Sequence, residues 1–210
     1  MTRSGKWLLS LLGILLIAIY IFTLLLGDLR KHTVAFEYIF FSAFILYALA
    51  CFIALQSMTV DRRIVYGIFA AAVVMQGILI FTRPTLSDDM YRYVWDGRVQ
   101  AHGISPYRYP PEAPELTFLR DKEIYPSINR KGVVTVYPPA AEGAFALLWR
   151  ILPDNVRWFQ TAMAAGGLVA GILLMGLLRD LNRSPMRALI YLWSPLLMFE
   201  TAHSAHIDGL

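Results

Sequence analysis

The hydrophobic positions of this 210-residue chain are gathered into four long runs, at 7–26, 35–57, 64–82 and 158–178. Three of these runs contain no charged residue, and the second contains one, Glu37, near its beginning. Each run is close to the roughly 20 residues that a helix needs to cross the hydrocarbon core of a bilayer. The pattern therefore predicts an all-α polytopic membrane protein.

Composition and charge support this class. The chain is 57% hydrophobic and only 16% charged, and soluble domains carry more charge. The first run is longer than a signal-peptide core and no small-x-small cleavage site follows it, so we expect a span there.

The single cysteine, Cys51, cannot form an internal disulfide. The net charge of +4 is typical of basic cytoplasmic loops, and we expect no nucleic-acid partner.

The basic residues near the ends of the apolar runs predict the orientation. Arg3 and Lys6 place the N-terminus in the cytoplasm. Three crossings then leave the segment 83–138 on the extracytoplasmic face. Arg30 and Lys31, in the short loop after the first run, depart from the positive-inside tendency.

The apolar segment 139–152 leaves two topologies open. It is too short to cross the bilayer comfortably, and Glu142 interrupts it. An interfacial or re-entrant segment keeps the basic loop 179–187 in the cytoplasm, whereas a crossing would place that loop outside. We favour the first topology, which divides the chain into three parts: transmembrane helices at 1–82, an external loop at 83–138, and at 139–210 the interfacial segment, further transmembrane helices and a second external polar cluster.

The external loop opens with a predicted helix in the stretch "LSDDMYRYVWDGR". Ser87 is a good N-cap, and Asp88 and Asp89 lie in the first turn. Apolar residues recur at helical spacing in a narrow stripe, while Arg92 and Asp96 lie four residues apart on the other side. We therefore expect an amphipathic helix lying on the membrane surface.

Asp88 and Asp89 are the first candidate site. One acid in a first helical turn complements the helix dipole, by about 0.3–1 kcal/mol. Two neighbouring acids, with Arg92, Asp96 and Arg98 nearby, form a denser cluster than capping requires. The alternative interpretation is ion pairing on a solvated face.

A second polar cluster lies at the C-terminal end of the sequence, where Glu200, His203, His206 and Asp208 follow the apolar segment 188–199. We predict that it emerges on the same face as the two aspartates. The histidine spacing lets both imidazoles face one divalent metal ion, with Asp208 as a third ligand. The alternative is a polar rim around a substrate cavity. Since no polar tail follows, we expect an N-terminal part of a longer protein.

Three motifs together resemble one enzyme superfamily. The stretches "SDDMYRYVWDGRVQAHGISPYRYPP", "YPP" at 137–139 and "YLWSPLLMFETAHSAHIDGL" resemble the bacterial branch of the C-type glycosyltransferases. Within that branch they are similar to integral-membrane mannosyltransferases that use polyprenyl-phosphate-linked sugar. The resemblance covers about residues 85–210. Many members have a single span before the loop, whereas this chain has three predicted ones.

The resemblance implies a function and a set of site residues. It makes 83–138 a catalytic loop on the extracytoplasmic face of a bacterial inner membrane, with Asp88 or Asp89 as the base. Arg92, Arg98 or Arg108 could then contact the lipid phosphate. The aromatic residues could stack on the sugar or lie at the membrane interface, and they are Tyr91, Trp95, Tyr107 and Tyr109. One base predicts inversion at the anomeric carbon.

The implied partners are a polyprenyl-phosphate-linked sugar, a glycan or glycolipid acceptor, and the bilayer. The full set of donor or substrate contacts is Arg92, Asp96, Arg98, Tyr107, Arg108, Tyr137, Glu200, His203, His206 and Asp208.

Three other function classes remain open at this point. A transporter would place charged groups in mid-membrane, whereas here the runs are nearly free of charge. A metal-dependent membrane hydrolase would use His203, His206 and Asp208. A non-catalytic scaffold would tolerate Asp88→Asn and Asp89→Asn.

Overall fold

The computed structural model describes residues 2–57 and 61–207, and the regular secondary structure of these two ranges is entirely helical. Four helices are long and apolar enough to cross a membrane, which confirms the four predicted spans. The α-helices are, in chain order, α1 (Arg3–Leu26), α2 (Thr33–Gln56), α3 (Arg62–Ile80), α4 (Asp89–Ala101), α5 (Ile124–Ser127), α6 (Pro139–Ile151), α7 (Val156–Asp180), α8 (Leu189–Leu192) and α9 (Pro195–Met198).

Side-chain caps begin three of the four long helices. Thr2 Oγ1 accepts a hydrogen bond from the Gly5 N–H at the start of α1, at 3.1 Å. Asp61 and Asn155 accept equivalent bonds at the starts of α3 and α7. A side-chain oxygen at this position pairs one of the four N–H groups that a helix leaves without a partner.

The four long helices and the C-terminal segment enclose one apolar core. After α7 the chain turns and runs back along α3, from Pro185 to His203, as a broken helix. Trp193 lies at one break, where its indole N–H donates to the Ile68 carbonyl at 2.9 Å. A Cβ at position 13 of α1 would lie 2.9 Å from this ring, so Gly13 leaves the space that the indole fills.

A second core lies beyond the end of α3. It is formed by α4, α5, α6, the 3-10 turn Pro114–Leu119 and the first turns of α7, and we call this part the α4 unit. The Tyr93 and Phe145 rings stack at 4.4 Å between α4 and α6. A Cβ at Gly97 would lie 2.6 Å from the Phe145 carbonyl oxygen, so the glycine permits this close crossing.

The burial of α4 differs from the sequence expectation. Nine of its thirteen residues are buried, because α5, α6 and α7 pack around it. A helix lying on a membrane surface would keep a polar face exposed, and α4 has no such face. Arg92 and Asp96, predicted on that polar side, are 5% and 1% exposed.

The short helix α6 belongs to the α4 unit. Its 13 residues span about 20 Å, less than the hydrocarbon core of a bilayer. Ala141 and Phe145 pack into the second core. Its position relative to the bilayer stays a prediction.

Hydrogen bonds join the two cores. The Leu29 N–H, in the loop between α1 and α2, donates to Thr85 Oγ1 at 3.1 Å. In α7 the Gln160 amide donates to three carbonyl oxygens, those of Thr82, Ala202 and His203. The C-terminal segment is therefore held against the linker that leads into α4.

Candidate active site

Asp88 and Asp89 stand at the start of α4, with Asp88 at the N-cap position and Asp89 in the first turn. Ser87, the predicted cap, accepts a hydrogen bond from the Asp89 N–H at 3.2 Å. The two carboxylates are adjacent in sequence, yet they meet different partners.

Asp88 is held by the loop between α1 and α2. The Arg30 guanidinium donates to its carboxylate at 2.9 Å and 3.5 Å, and Arg30 Nε donates to the Thr85 carbonyl at 2.8 Å. The positive charge of Arg30 therefore neutralises the Asp88 carboxylate. The same contact gives Arg30 a structural reason to depart from the positive-inside tendency.

Asp89 faces the C-terminal polar cluster. Its Oδ1 accepts a hydrogen bond from the Asn129 amide at 2.6 Å, and its Oδ2 lies 3.8 Å from Nε2 of His206. The carboxylate is about two-fifths exposed. It therefore combines solvent access with contacts from two distant parts of the chain.

Glu200 contacts the other ring nitrogen of His206, Nδ1. Nδ1 of His206 donates to the Glu200 carboxylate, and the His206 backbone N–H donates to the Glu200 carbonyl at 2.8 Å. The hydrogen bond from His206 holds the pKa of Glu200 below its ordinary value. Glu200, His206 and Asp89 thus lie in a row, with a hydrogen bond between the first two and 3.8 Å between the last two, and we call this group the Asp89 site.

The backbone that carries this line is unusual. The five residues Phe199–His203 form a π-helical turn, a conformation that occurs often at functional sites. Ala205 follows with a φ of 55°, which is costly for a residue with a Cβ. This reversal brings His206 back over Glu200, so the strain accompanies the geometry of the site.

His203 does not have the free nitrogen that a metal ligand needs. Its Nε2 accepts a hydrogen bond from the Thr85 N–H at 3.3 Å, so the proton is on Nδ1, which contacts Thr82 Oγ1 at 2.6 Å. Burial lowers the pKa of His203 to about 4, and the ring is neutral. Within residues 2–57 and 61–207 no group of three His, Cys, Asp or Glu side chains could hold a metal ion. Asp208 lies outside the described residues.

Arg92 and Asp96 form a buried ion pair rather than a solvated one. Arg92 Nε donates to both carboxylate oxygens at 2.9 Å and 3.0 Å, and Nη1 donates to the Val133 carbonyl at 2.9 Å. Glu142 of α6 joins them through Thr135, whose hydroxyl donates to Glu142 Oε1 at 2.6 Å. Burial raises the pKa of Glu142, as does the neighbouring Asp96 charge. Burial likewise raises the pKa of Asp96.

Arg98 is also committed to the fold. Its Nη1 donates to the Leu119 carbonyl at 2.8 Å, and its other nitrogens contact Asp154 and Asp121. Asp121 in turn caps α5 by accepting bonds from three backbone N–H groups. Arg98 therefore ties the end of α4 to the start of α5 and to the turn before α7.

The remaining predicted contacts lie away from the Asp89 site. Arg108 is exposed, follows the end of α4 and lies 5.0 Å from the Tyr109 ring. The Tyr107 hydroxyl donates to the Tyr137 carbonyl at 2.6 Å. Trp95 is buried in the second core and cannot stack on a sugar without unfolding.

Two arginines that the sequence did not single out line a cavity beside α4. Arg83 and Arg157 are exposed, and together with Tyr91 they line a cavity of about 830 Å³ between the end of α3 and the start of α7. Neither has an ion-pair partner in the part of the chain that the structure describes. The Arg157 guanidinium lies 5.0 Å from the Phe81 ring.

Comparison with known proteins gives one family match. The family model described as "Alpha-(1->6)-mannopyranosyltransferase, N-terminal domain" matches residues 23–210. No curated protein and no solved structure matches the chain. The resemblance to membrane mannosyltransferases is thereby confirmed. Because the match covers most of the sequence, the chain belongs to the alpha-(1->6)-mannopyranosyltransferase family.

Proposed function

We propose that the protein transfers mannose from a polyprenyl-phosphate donor to a hydroxyl group of a glycan or glycolipid, on the extracytoplasmic face and with inversion. The observation that carries the proposal is Asp89, a partly exposed carboxylate aligned with His206 and Glu200. Asp89 acts as the general base. Asp88 is already neutralised by Arg30, so it positions the start of α4.

The chemistry requires one proton acceptor and one stable leaving group. As the acceptor oxygen bonds to the anomeric carbon, its proton passes to the Asp89 carboxylate. The bond between the anomeric carbon and the phosphate oxygen breaks, and its electron pair leaves with the polyprenyl phosphate. Attack from the face opposite the leaving group inverts the anomeric centre. The hydrogen bond from Asn129 holds the carboxylate in place, and His206 faces it at 3.8 Å.

The donor phosphate needs cations that the fold has not already used. Arg92 and Arg98 are bound to acids inside the α4 unit, so we do not assign them to the phosphate. Arg83 and Arg157 are exposed beside the start of α4. Guanidinium groups bind phosphate through paired hydrogen bonds, and we assign the donor phosphate to these two residues.

The proposed base is tested by a pair of neighbouring substitutions. Asp89→Asn should lower transfer from polyprenyl-phosphate-linked mannose by at least about a hundredfold, because the amide cannot accept the proton. Asp88→Asn, the same change one residue away, should retain most of the activity, because an exposed ion pair contributes at most about 1 kcal/mol. Transfer is measured on membranes carrying the full-length protein, with protein levels matched.

The two substitutions separate the possible outcomes. Loss of transfer in Asp88→Asn with activity kept in Asp89→Asn would exchange the assigned roles. A wild-type protein that transfers no mannose from this or any other lipid-linked donor would refute the proposed function.

The phosphate assignment has its own control. Arg83→Gln and Arg157→Gln should each raise the KM for the lipid donor by about tenfold or more, because a charge-assisted hydrogen bond is lost. Arg108→Gln removes the same charge from an exposed arginine that lies beyond the other end of α4, and its KM should change little. Equal changes in all three variants would contradict the assignment.

A further inference from the structure

A second group of arginines lies at the opposite end of the bundle from the Asp89 site. Arg62 begins α3, and Arg179 and Arg183 lie at the end of α7 and in the turn that follows. Together they line a cavity of about 670 Å³, which we call the basic cleft. The 19 residues of α3 separate this cleft from the start of the α4 unit by about 28 Å.

Local structure places these side chains on one cleft. The Arg183 N–H donates to the Leu178 carbonyl at 2.7 Å, and the Asn182 N–H donates to the Arg179 carbonyl at 2.9 Å. With Asn182 at a φ of 54°, this is the Schellman arrangement that ends many helices. It turns the chain sharply, so Arg183 and Ser184 face the first turn of α3.

The charges of the basic cleft are not balanced by acids. None of its three arginines forms an ion pair with an acid in the described ranges 2–57 and 61–207. The nearby carboxylate of Asp61 is bound by Lys6. Arg62 also lies in the first turn of α3, where the helix dipole disfavours a cation. Since three exposed arginines line the same cavity, their positive charges favour an anion there.

The wall of the cleft contains a further polar group, Ser184, whose hydroxyl has no partner among the described residues. Ser184 Oγ is buried and has no hydrogen-bond partner among the described residues, and Ser184 lines the cleft together with Asn182. A buried hydroxyl without a partner is unfavourable. Rotation of the Ser184 side chain to another staggered rotamer would turn the hydroxyl towards the cleft, where a phosphate oxygen could accept its hydrogen bond.

The surroundings of the cleft resemble a membrane interface. Tyr66, which lines the cleft, is 69% exposed. Leu181, which precedes the cleft residue Asn182 in the chain, is 61% exposed. Tyrosine is frequent where spans leave the bilayer, and basic pockets between spans bind anionic headgroups on the cytoplasmic side. By the orientation predicted from Arg3 and Lys6, this end of the bundle is cytoplasmic.

We propose that the basic cleft binds the phosphate headgroup of an anionic phospholipid from the cytoplasmic leaflet. Arg62, Arg179 and Arg183 contact the phosphate, and the acyl chains lie against the exposed apolar side chains of α3 and α7. This site is independent of the transfer reaction proposed above, and its test does not use transferase activity.

The test measures lipid binding to the purified full-length protein by native mass spectrometry. The probes are phosphatidylglycerol, phosphatidylcholine and inorganic phosphate. Phosphatidylglycerol should bind in preference to phosphatidylcholine, and inorganic phosphate should displace it only weakly. Arg62→Gln, Arg179→Gln and Arg183→Gln should each weaken phosphatidylglycerol binding by about fivefold.

Arg63→Gln is the matched control, because Arg63 is adjacent to Arg62 but lines a different cavity. It should leave lipid binding unchanged. Equal loss in this control would show diffuse attraction by the whole basic face and overturn the proposal, as would equal binding of phosphatidylcholine. Displacement of the lipid by equimolar inorganic phosphate would assign the cleft to a free phosphate compound instead. Where a glutamine variant fails to fold, the Arg→Lys variant keeps the charge and should show a smaller but measurable loss.

Discussion

Asp88 and Asp89 have the same side chain and adjacent positions, and the difference between them arises from their partners. Arg30 neutralises Asp88, whereas Asp89 contacts the neutral amide of Asn129 and faces His206. The two histidines of the C-terminal cluster differ in the same way. His203 has both ring nitrogens engaged inside the fold, while His206 lies between two carboxylates. The individual environment therefore decides which member of each pair belongs to the site.

The neutral state of His203 gives a pH prediction. Its pKa is about 4 in the folded protein against an ordinary value of 6.5, so between these values the unfolded state binds more protons. The contribution of His203 to stability is complete above pH 6.5 and falls by about 1.4 kcal/mol per pH unit towards pH 4. Glutamine cannot titrate, so in His203→Gln the free energy of unfolding, measured by denaturant at several pH values, should change less steeply with pH. Identical slopes for the variant and the wild type would contradict this assignment.

At the scale of elements, the crossing of α4 and α6 holds the α4 unit together. Tyr93 stacks on Phe145, and the absence of a side chain at Gly97 lets the helix backbones approach closely. The ion pair Arg92–Asp96 is enclosed by the same crossing, and Glu142 of α6 extends it. Because these contacts fix the rotation of α4, they also fix the direction in which Asp89 points.

A pair of glycine substitutions tests this crossing. In Gly97→Ala the new Cβ would lie 2.6 Å from the Phe145 carbonyl oxygen and 2.8 Å from Trp149 Cβ. We expect destabilisation of roughly 1–3 kcal/mol, together with lower transfer activity. Gly143→Ala in α6 meets no atom within 4 Å and should be neutral or stabilising by up to about 1 kcal/mol. Thermal unfolding in detergent measures both, and equal stability of the two variants would contradict the close crossing.

At the scale of the whole molecule, the two cores stabilise different parts of the protein. The larger core packs helices that can cross a bilayer, and the second core supports the Asp89 site beyond the end of α3. Gln160 and the loop at Leu29 connect the two. The proposed reaction therefore takes place where a sugar carried on a membrane lipid can reach a carboxylate on a rigid support.

The predicted orientation can be measured by cysteine accessibility. Cys51 lies in α2 and is first replaced by serine. Glu115→Cys in the α4 unit should then react with a membrane-impermeant maleimide on intact cells. Asp180→Cys, an equally exposed acid at the end of α7, should react only after permeabilisation. The reverse pattern would place the Asp89 site in the cytoplasm.

Much of this architecture could be predicted from the sequence, because the length and polarity of an apolar run are local properties. The four spans, the helix after Ser87 and the candidate acids Asp88 and Asp89 all follow from residues that are neighbours in the chain. The pairing of charges could not be predicted in that way. Arg30 reaches Asp88 from 58 residues away, and His206 approaches Asp89 from 117 residues further along the chain.

The burial of α4 was likewise decided only by tertiary structure. The sequence shows an alternation of apolar and charged residues that is typical of a surface helix, and it does not show that α6 covers the charged side. Once α6 excludes water there, Arg92 and Asp96 are stable only as partners of each other. The sequence alone thus determined the class of protein and supplied Asp88 and Asp89 as candidate groups. The tertiary structure decided that Arg92 and Asp96 are buried and that Asp88, unlike Asp89, is neutralised by an arginine, because burial and charge neutralisation depend on segments that are distant in the chain.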